Sequence, residues 1–212
     1  MPKHDPSERT KNEILKTALR LFREKGWENV NIEDVVKQVG VTRGAFYHYF
    51  KSREALVADV IDLMFANNNA FTHASEQTDL NAMGKILFAF RHNLGFNTEN
   101  IGMVNALQKA MENPVVFKSE FFSQIHTVAP HLENLLKEGS KDGSLDVKFP
   151  KQTAQAICLL SGIWLSHDVH EVSREEFSER LSFMEHTLNL LGIPLKIAEL
   201  DELLAKLYDS FE

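Results

Sequence analysis

The sequence has few of the residues that break helices or cross-link chains. Its 212 residues include 6 Pro, 10 Gly and a single cysteine, Cys158. One cysteine cannot form an intramolecular disulfide, which excludes a disulfide-stapled fold and suits a reducing compartment. Cys158 lies in an apolar run, where a cysteine is usually a small buried side chain. The low proline and glycine contents leave room for long helices.

Long apolar runs are lacking too. The best one, residues 156–165, has ten residues and includes Ser161 and Gly162, whereas a membrane helix needs about 20. The first 13 residues contain no apolar core of a secretory signal. We therefore expect a cytoplasmic protein without a membrane partner. With 43% apolar and 25% charged residues, the composition also excludes disordered, collagen-like and fibrous classes.

Charge is distributed unevenly along the chain. Residues 1–53 hold 11 Lys and Arg against 7 Asp and Glu, whereas residues 54–212 hold 12 against 23. The basic head therefore has a net charge of +4 and the acidic remainder one of −11. This asymmetry is typical of a protein that meets a polyanion at one end. We therefore predict a domain at 1–53 that binds a polyanion such as DNA, linked by a helix from about residue 52 to a second domain at 54–212.

The spacing of apolar residues predicts an all-α protein. Nearly every segment repeats apolar residues at intervals of three and four, and no convincing alternating run of β-branched residues is present. A first helix buries Ile14, Leu15, Ala18, Leu21 and Phe22 and ends at Gly26. Later helices are expected over about 79–94, 101–111, 114–139 with a division at Pro130, 150–167, 174–191 and 198–211.

Two short helices follow the first one. Asn31 is a good N-cap for a helix that Gly40 ends, and Thr42 can cap the next one. Two short helices joined by about three residues that include glycine are the sequence form of a helix-turn-helix. The inward residues of the second short helix are predicted to be Ala45, Phe46, Tyr49 and Phe50.

The outer face of this second short helix carries the residues suited to DNA. Arg43 can donate two parallel hydrogen bonds to O6 and N7 of guanine in the major groove. Gly44 has no side chain, so the backbone can approach DNA closely. Donors suited to phosphate oxygens, which fix register without reading sequence, are carried by Tyr47, His48, Lys51 and Arg53.

The segment GVTRGAFYHYFKSREAL, residues 40–56, is the most specific part of a resemblance that covers about residues 9–57. Here the chain resembles the DNA-binding head of the TetR family of bacterial transcriptional regulators. The resemblance implies that bases are faced by Thr42, Arg43, Gly44 and Ala45. It also implies phosphate contacts by Asn31, Tyr47, His48, Tyr49 and Arg53.

The resemblance further implies a homodimeric repressor that binds double-stranded DNA at a palindromic operator. The last long helices of each body would pack as a four-helix bundle. This agrees with the small residues along 154–164, which permit close helix approach, and with the apolar spacing along 177–191. The predicted dimer contacts are Ala154, Cys158, Ser161, Phe177, Leu181, Met184 and Leu188.

The resemblance also implies that the body, residues 54–212, is a regulatory ligand-binding and dimerisation domain, which in the family holds a pocket for a small-molecule inducer. The aromatic and methionine content of the body predicts a mainly hydrophobic ligand, although such residues at helical spacing more often form plain core. The candidate lining residues are Phe88, Met103, Leu107, Met111, Phe121 and Trp164.

Two alternatives remain beside this prediction. His167 and Glu171 stand four residues apart and could share a metal in a metal-dependent hydrolase, as could the weaker pair His126 and His131. However, GxSxG, HExxH, P-loop and GxGxxG motifs are all absent, so we expect no enzyme, no cofactor and no metal site. A protein partner in place of the small inducer, or an activator in place of a repressor, stays open.

Overall fold

A computed structural model of the chain describes residues 6–67, 69–165 and 172–209. These residues form twelve α-helices and no strand, which confirms the predicted all-α class. In chain order the helices are α1 (Pro6–Lys25), α2 (Ile32–Val39), α3 (Arg43–Tyr49), α4 (Arg53–Asn67), α5 (Ala70–Ser75), α6 (Ala82–Glu99), α7 (Ile101–Met111), α8 (Pro114–Ser123), α9 (Ala129–Asp142), α10 (Pro150–Leu159), α11 (Arg174–Leu190) and α12 (Asp201–Asp209).

The chain divides into two compact units, which do not follow its order strictly. The first unit, here called the head unit, comprises Met1–Asn68 and Gly102–Phe117. The second, here called the body unit, comprises Asn69–Ile101 and Lys118–Glu212. Most of α7 therefore belongs with the head unit, although 33 residues of the body unit precede it in the chain. The domain boundary predicted at residue 53 stays a prediction.

The core of the head unit lies between α1, α2, α3 and α4. All five residues predicted to form the apolar stripe of α1, the first of them Ile14 and the last Phe22, are buried. The ring of Phe22 stacks on Trp27 with a centroid distance of 4.5 Å. The opposite side of this core is formed by fully buried side chains of α2 to α4, including Val35, Phe46, Phe50, Leu56 and Val60.

The core of the body unit is a larger cluster that joins α6, α9, α10, α11 and α12. Its centre includes Leu132, Leu136 and Ala154. Gly192 closes α11 with φ +84°, and a Cβ there would lie 1.9 Å from the carbonyl oxygen of Asp146. Only glycine satisfies both conditions, because other residues rarely adopt this backbone region and their Cβ would collide with the carbonyl.

Several helix boundaries follow the predicted signals, and others do not. α7 has the predicted range, and Pro130 stands in the first turn of α9, directly after a π-helical turn at Gln124–Val128. A proline there cannot donate a backbone hydrogen bond, which explains the division.

α5 was not predicted. The helix expected to run from 150 to 167 changes after Leu159 into a π-helical turn, Leu160–Trp164. Within the described ranges, no helix is long and apolar enough to cross a membrane.

Candidate nucleic-acid interface

Capping interactions fix the two short helices of the head unit. The Asn31 side chain accepts a hydrogen bond from the Asp34 backbone N–H at 2.9 Å, and the Asp34 carboxylate accepts one from the Asn31 N–H at 3.2 Å. Gly40 then turns the chain with φ +79°, and the Thr42 hydroxyl accepts from the Ala45 N–H at 3.1 Å. These local bonds set the start of both helices before any tertiary contact is made.

Two aromatic side chains anchor the inner face of α3. Phe46 and Phe50 are buried, with their ring centroids 5.5 Å apart. Ala45 and Tyr49 are half-buried, so they lie at the edge of this inner face. The remaining predicted DNA-facing residues of this segment are exposed, namely Thr42, Arg43, Gly44, Tyr47, His48 and Lys51.

Arg43 is the first residue of α3, and its guanidinium forms an ion pair with a carboxylate of α2. Its Nη2 lies 2.9 Å from Glu33 Oε1 of α2, although both side chains remain more than half exposed. A hydrogen bond to Tyr47 and the charge of Glu33 raise the pKa of Arg43 above its ordinary value. The guanidinium is therefore charged and accessible, with one carboxylate partner on α2.

Lys51 follows α3 at the edge of the same exposed face. Its ammonium donates to the Tyr47 carbonyl at 3.0 Å, which is one of the last carbonyls of α3. A cation at the C-terminal end of a helix is favoured by the helix dipole. An ammonium has three donors, so two of them remain for phosphate oxygens.

Arg53, at the start of α4, has a structural role that the sequence did not reveal. Its Nε donates to the Val30 carbonyl at 3.0 Å, and its Nη2 donates to the Trp27 carbonyl. Its guanidinium also lies over the Phe22 ring, 6.0 Å from the centroid. Arg53 therefore ties the start of α4 to the segment between α1 and α2. Asn31, the other predicted phosphate contact outside α3, is exposed at the start of α2.

Most of α7 packs against this same segment of the head unit. A Cβ on Gly102 would lie 3.3 Å from Trp27 Cδ1, which shows how closely the α7 backbone approaches the indole. Lys109 Nζ lies 3.1 Å from Glu28 Oε2. Sequence spacing could not indicate these contacts, because they join residues 75 and 81 positions apart along the chain.

The six predicted pocket residues are divided between the two units. In the head unit Met103 is buried, and Leu107 and Met111 are half-buried. In the body unit Phe88, Phe121 and Trp164 are half-buried. A groove of about 550 Å³ is lined by none of these six. It follows α11 and the segment after it, and its lining includes Ser178, Leu181, Ser182, Glu185, His186 and Lys196.

Most of the predicted dimer contacts lie inside the body unit. Ala154, Cys158, Phe177, Met184 and Leu188 are buried, while Ser161 and Leu181 are half-buried. The apolar side chains that α11 exposes are others: Phe183 is 53% exposed and Leu190 is 75% exposed. The regular apolar spacing of α11 therefore marks the face that packs into its own core.

The histidine clusters singled out in the sequence do not assemble a metal site in the described part of the chain. No group of three His, Cys, Asp or Glu side chains there could hold a metal ion. His126 stacks on Phe122 with centroids 5.7 Å apart, and His131 stacks on Phe71 at 6.2 Å. The cluster from His167 to Glu171 lies outside the described residues.

Comparison with known protein families gives two matches along the chain. Residues 14–60 match the profile of bacterial regulatory proteins of the tetR family. Residues 100–187 match the profile of the tetracyclin repressor-like C-terminal domain. The two matches together cover more than half of the chain and include both the helix-turn-helix and most of the body unit.

Individual relatives match the chain either closely over the head alone or weakly over nearly its whole length. The uncharacterized HTH-type transcriptional regulator YerO of Bacillus subtilis is 45% identical over 47 residues, which are 22% of this chain and 16% of YerO. The HTH-type transcriptional repressor NemR of Escherichia coli K12 is 22% identical over 198 residues, 92% of this chain and 99% of NemR. The chain spans less than two fifths of the length of the relatives that match mainly through the head.

Solved structures show the same fold. The transcriptional repressor QsdR of R. erythropolis superposes with a TM-score of 0.62 and 18% identity, over 90% of this chain and 98% of QsdR. A helix-turn-helix head followed by a helical body is therefore the architecture of this chain.

Proposed function

Since the chain belongs to the TetR family of bacterial transcriptional regulators, we propose that it is a homodimeric repressor that a small, mainly hydrophobic ligand releases from a palindromic operator. Its curated relatives are transcriptional regulators, and we propose that the chain has no enzymatic activity. We propose a repressor because NemR, which aligns with nearly the whole chain, is a transcriptional repressor.

The observation that carries DNA binding is the exposed face of α3. It presents the guanidinium of Arg43, the phenol of Tyr47 and the imidazole of His48, with the ammonium of Lys51 at its edge. Buried phenylalanines hold the opposite face. A helix of this kind fits the major groove, where donors can reach both base edges and phosphates. In this proposal Arg43 contacts a guanine, and Tyr47, His48 and Lys51 contact phosphates.

The homodimer is supported by the apolar side chains that α11 exposes. Phe183 and Leu190 stand seven residues apart, about two helical turns, and therefore lie on the same side of the helix. We propose that this face, rather than the buried residues predicted from spacing, meets a second copy. Two heads related by a two-fold axis would bind half-sites about 34 Å apart, or one turn of DNA.

A ligand site in the body unit is supported by two buried polar atoms. In the described part of the chain, His92 Nδ1 and Asn97 Oδ1 are buried without a hydrogen-bond partner, and such atoms are costly unless something pairs with them. Burial and the neighbouring His73 lower the pKa of His92, which favours the neutral ring. The Phe88 ring lies 6.1 Å from the His92 ring. We propose a largely apolar ligand that carries at least one hydrogen-bond donor.

Release from DNA requires that the ligand bind more tightly to a conformation whose two heads are wrongly spaced for the operator. We propose that α4 and α7 carry this change. α4 leaves the helix-turn-helix directly, and α7 contacts the head through Gly102 at Trp27 and Lys109 at Glu28. A shift of α7 would therefore move the segment to which Arg53 is bonded.

The test of this function is selection of the purified full chain against a library of random DNA duplexes, followed by salt titration of binding to the selected duplexes. An enriched inverted repeat whose affinity falls steeply as salt rises is expected. Single half-sites would contradict the homodimer. No enrichment by a folded protein that is free of co-purified ligand would overturn DNA binding.

A further inference from the structure

The ion pair between Glu33 and Arg43 contributes little to holding the head unit together. The hydrophobic core already holds α2 against α3, with Val35 and Phe46 fully buried. The two charged side chains are 58% and 63% exposed, and an ion pair this exposed adds little to the stability of a fold. A different reason is required for an acidic residue beside the base-reading face of a DNA-binding unit.

The position of Arg43 is unfavourable for a cation. It is the first residue of α3, where the partial positive charge of the helix dipole disfavours an arginine. Glu33 stands in the first turn of α2, where the dipole favours a carboxylate. Glu33 therefore places a negative charge beside Arg43, at the N-terminal end of α3, where the helix dipole is positive.

The other basic residues predicted to face DNA are held differently. Lys51 donates to a backbone carbonyl of α3, and Arg53 donates to the carbonyls of Val30 and Trp27. Arg43 instead pairs with the carboxylate of Glu33 on α2. Its partner is therefore a side chain and not a backbone carbonyl.

A guanidinium has five N–H donors in a rigid plane. Glu33 takes a donor on Nη2, so an edge with two parallel donors remains for O6 and N7 of a guanine. Without a partner, the long arginine side chain has several rotamers and can as easily contact a phosphate, which carries no sequence information.

We infer that Glu33 is a positioning residue for Arg43, which orients the guanidinium so that one edge meets a single guanine in the operator. This inference rests on the proposed DNA-binding function and adds how its specificity is set. The carboxylate also repels nearby phosphates, so it favours base contact over backbone contact in a second way. Glu33 thereby lowers general affinity for DNA and increases discrimination.

The test compares dissociation constants of the full chain for two duplexes. One is the selected operator, and the other is substituted at the base pair whose preference is lost in Arg43→Ala. For Glu33→Gln we expect discrimination between the two duplexes to fall about three- to tenfold, with equal or tighter binding to the substituted duplex. Glu33→Asp, which keeps the charge, should retain part of the discrimination.

Two controls make the result specific. Glu13→Gln removes one exposed carboxylate of α1 that pairs with Arg9, and it should leave discrimination unchanged. In the double variant Glu33→Gln, Arg43→Ala, discrimination should equal that of Arg43→Ala alone, because Glu33 acts through Arg43. Thermal unfolding of each variant verifies that the head remains folded.

Three outcomes would overturn the inference. Full discrimination by Glu33→Gln would mean that Arg43 needs no partner. Tighter binding to the operator with full discrimination would mean that Glu33 competes with DNA for Arg43. A further loss in the double variant would mean that Glu33 reads a base itself. If the wild-type chain selects no duplex, the proposed function fails instead, before any variant is compared.

Discussion

The exposed faces of α3 and α11 differ in chemistry, although each helix buries its other face. The exposed side chains of α3 are polar or absent, with donors at Arg43, Tyr47 and His48. The exposed face of α11 includes Phe183 and Leu190 among acidic and polar residues. A face of donors suits a polyanion, and an apolar face rimmed by polar residues suits another protein surface.

This difference shows that burial distinguishes the side chains that form the core from those that can contact a partner. Apolar content alone does not make this distinction. In the short helix α3, Phe46 and the following Phe50 are enough to hold the inner face, and Arg43, Tyr47 and His48 remain exposed for contact. In the longer helix α11, the most regular apolar positions are used by the core of the body unit. The residues left for a partner are those outside the regular spacing.

The largest expected effect concerns the α11 face. The double change Phe183→Glu, Leu190→Glu should separate the protomers, because each protomer would place two carboxylates in an apolar contact. Since each head then binds DNA alone, operator affinity should fall about 10²- to 10⁴-fold. Sedimentation and operator titration measure both effects. Phe149→Glu, which changes another Phe that is 57% exposed in the body unit, should leave the dimer intact. A dimer that survives the double change would refute this interface.

A smaller effect is expected at α3. Arg43→Ala should reduce discrimination at one base pair of each half-site by about one to two orders of magnitude. Competition binding with singly substituted operators locates that base pair. Arg9→Ala removes an exposed arginine from α1 and should not change the preference at any position. Unchanged preference after Arg43→Ala would exclude Arg43 from base reading.

Lys51→Ala should have a weaker and uniform effect. If the Lys51 ammonium neutralises one phosphate, its loss weakens binding to all duplexes alike and lowers the slope of log affinity against log salt by about one. Salt titrations on the operator and on an unrelated duplex provide the comparison. A loss confined to the operator would assign Lys51 to base reading instead.

The smallest effect concerns Cys158, which was predicted as a dimer contact and lies in the core of the body unit. Burial raises the pKa of its thiol from 9.0 to about 12, so the thiol stays protonated and reacts slowly at neutral pH. Above pH 9 the unfolded state releases this proton first, so this group contributes a loss of stability as the pH rises towards 12. Cys158→Ala should remove that contribution, as denaturant titrations at pH 8 and 10.5 would show.

The rate at which the Cys158 thiol is labelled also tests whether the core of its own protomer or a partner protomer buries it. If the core alone buries this thiol, it should react equally slowly in the wild-type chain and in the Phe183→Glu, Leu190→Glu variant. Faster labelling in the variant would mean that a partner protomer covers Cys158, and the prediction made from the small residues of α10 would then be restored.

The sequence predicted the helix-turn-helix well because its signals are local. Asn31, Gly40 and Thr42 act on backbone groups within a few residues. A helix of seven residues that buries Phe46 and is followed by the buried Phe50 has one stable inner face. The division at Pro130 and the close of α11 at Gly192 have equally local causes. The all-α class and the identity of the outer face of α3 follow from these signals.

The tertiary structure decided what depends on distant residues. The pairing of Glu33 with Arg43 joins two helices, the bonds from Arg53 to Trp27 and Val30 cross more than twenty positions, and the α7 contact with Trp27 spans 75. In the body unit, packing also decided that Met184 and Leu188 are core and that Phe183 and Leu190 are surface. Periodicity identifies which side chains can be buried together, but the choice among several apolar faces depends on which helices pack beside them.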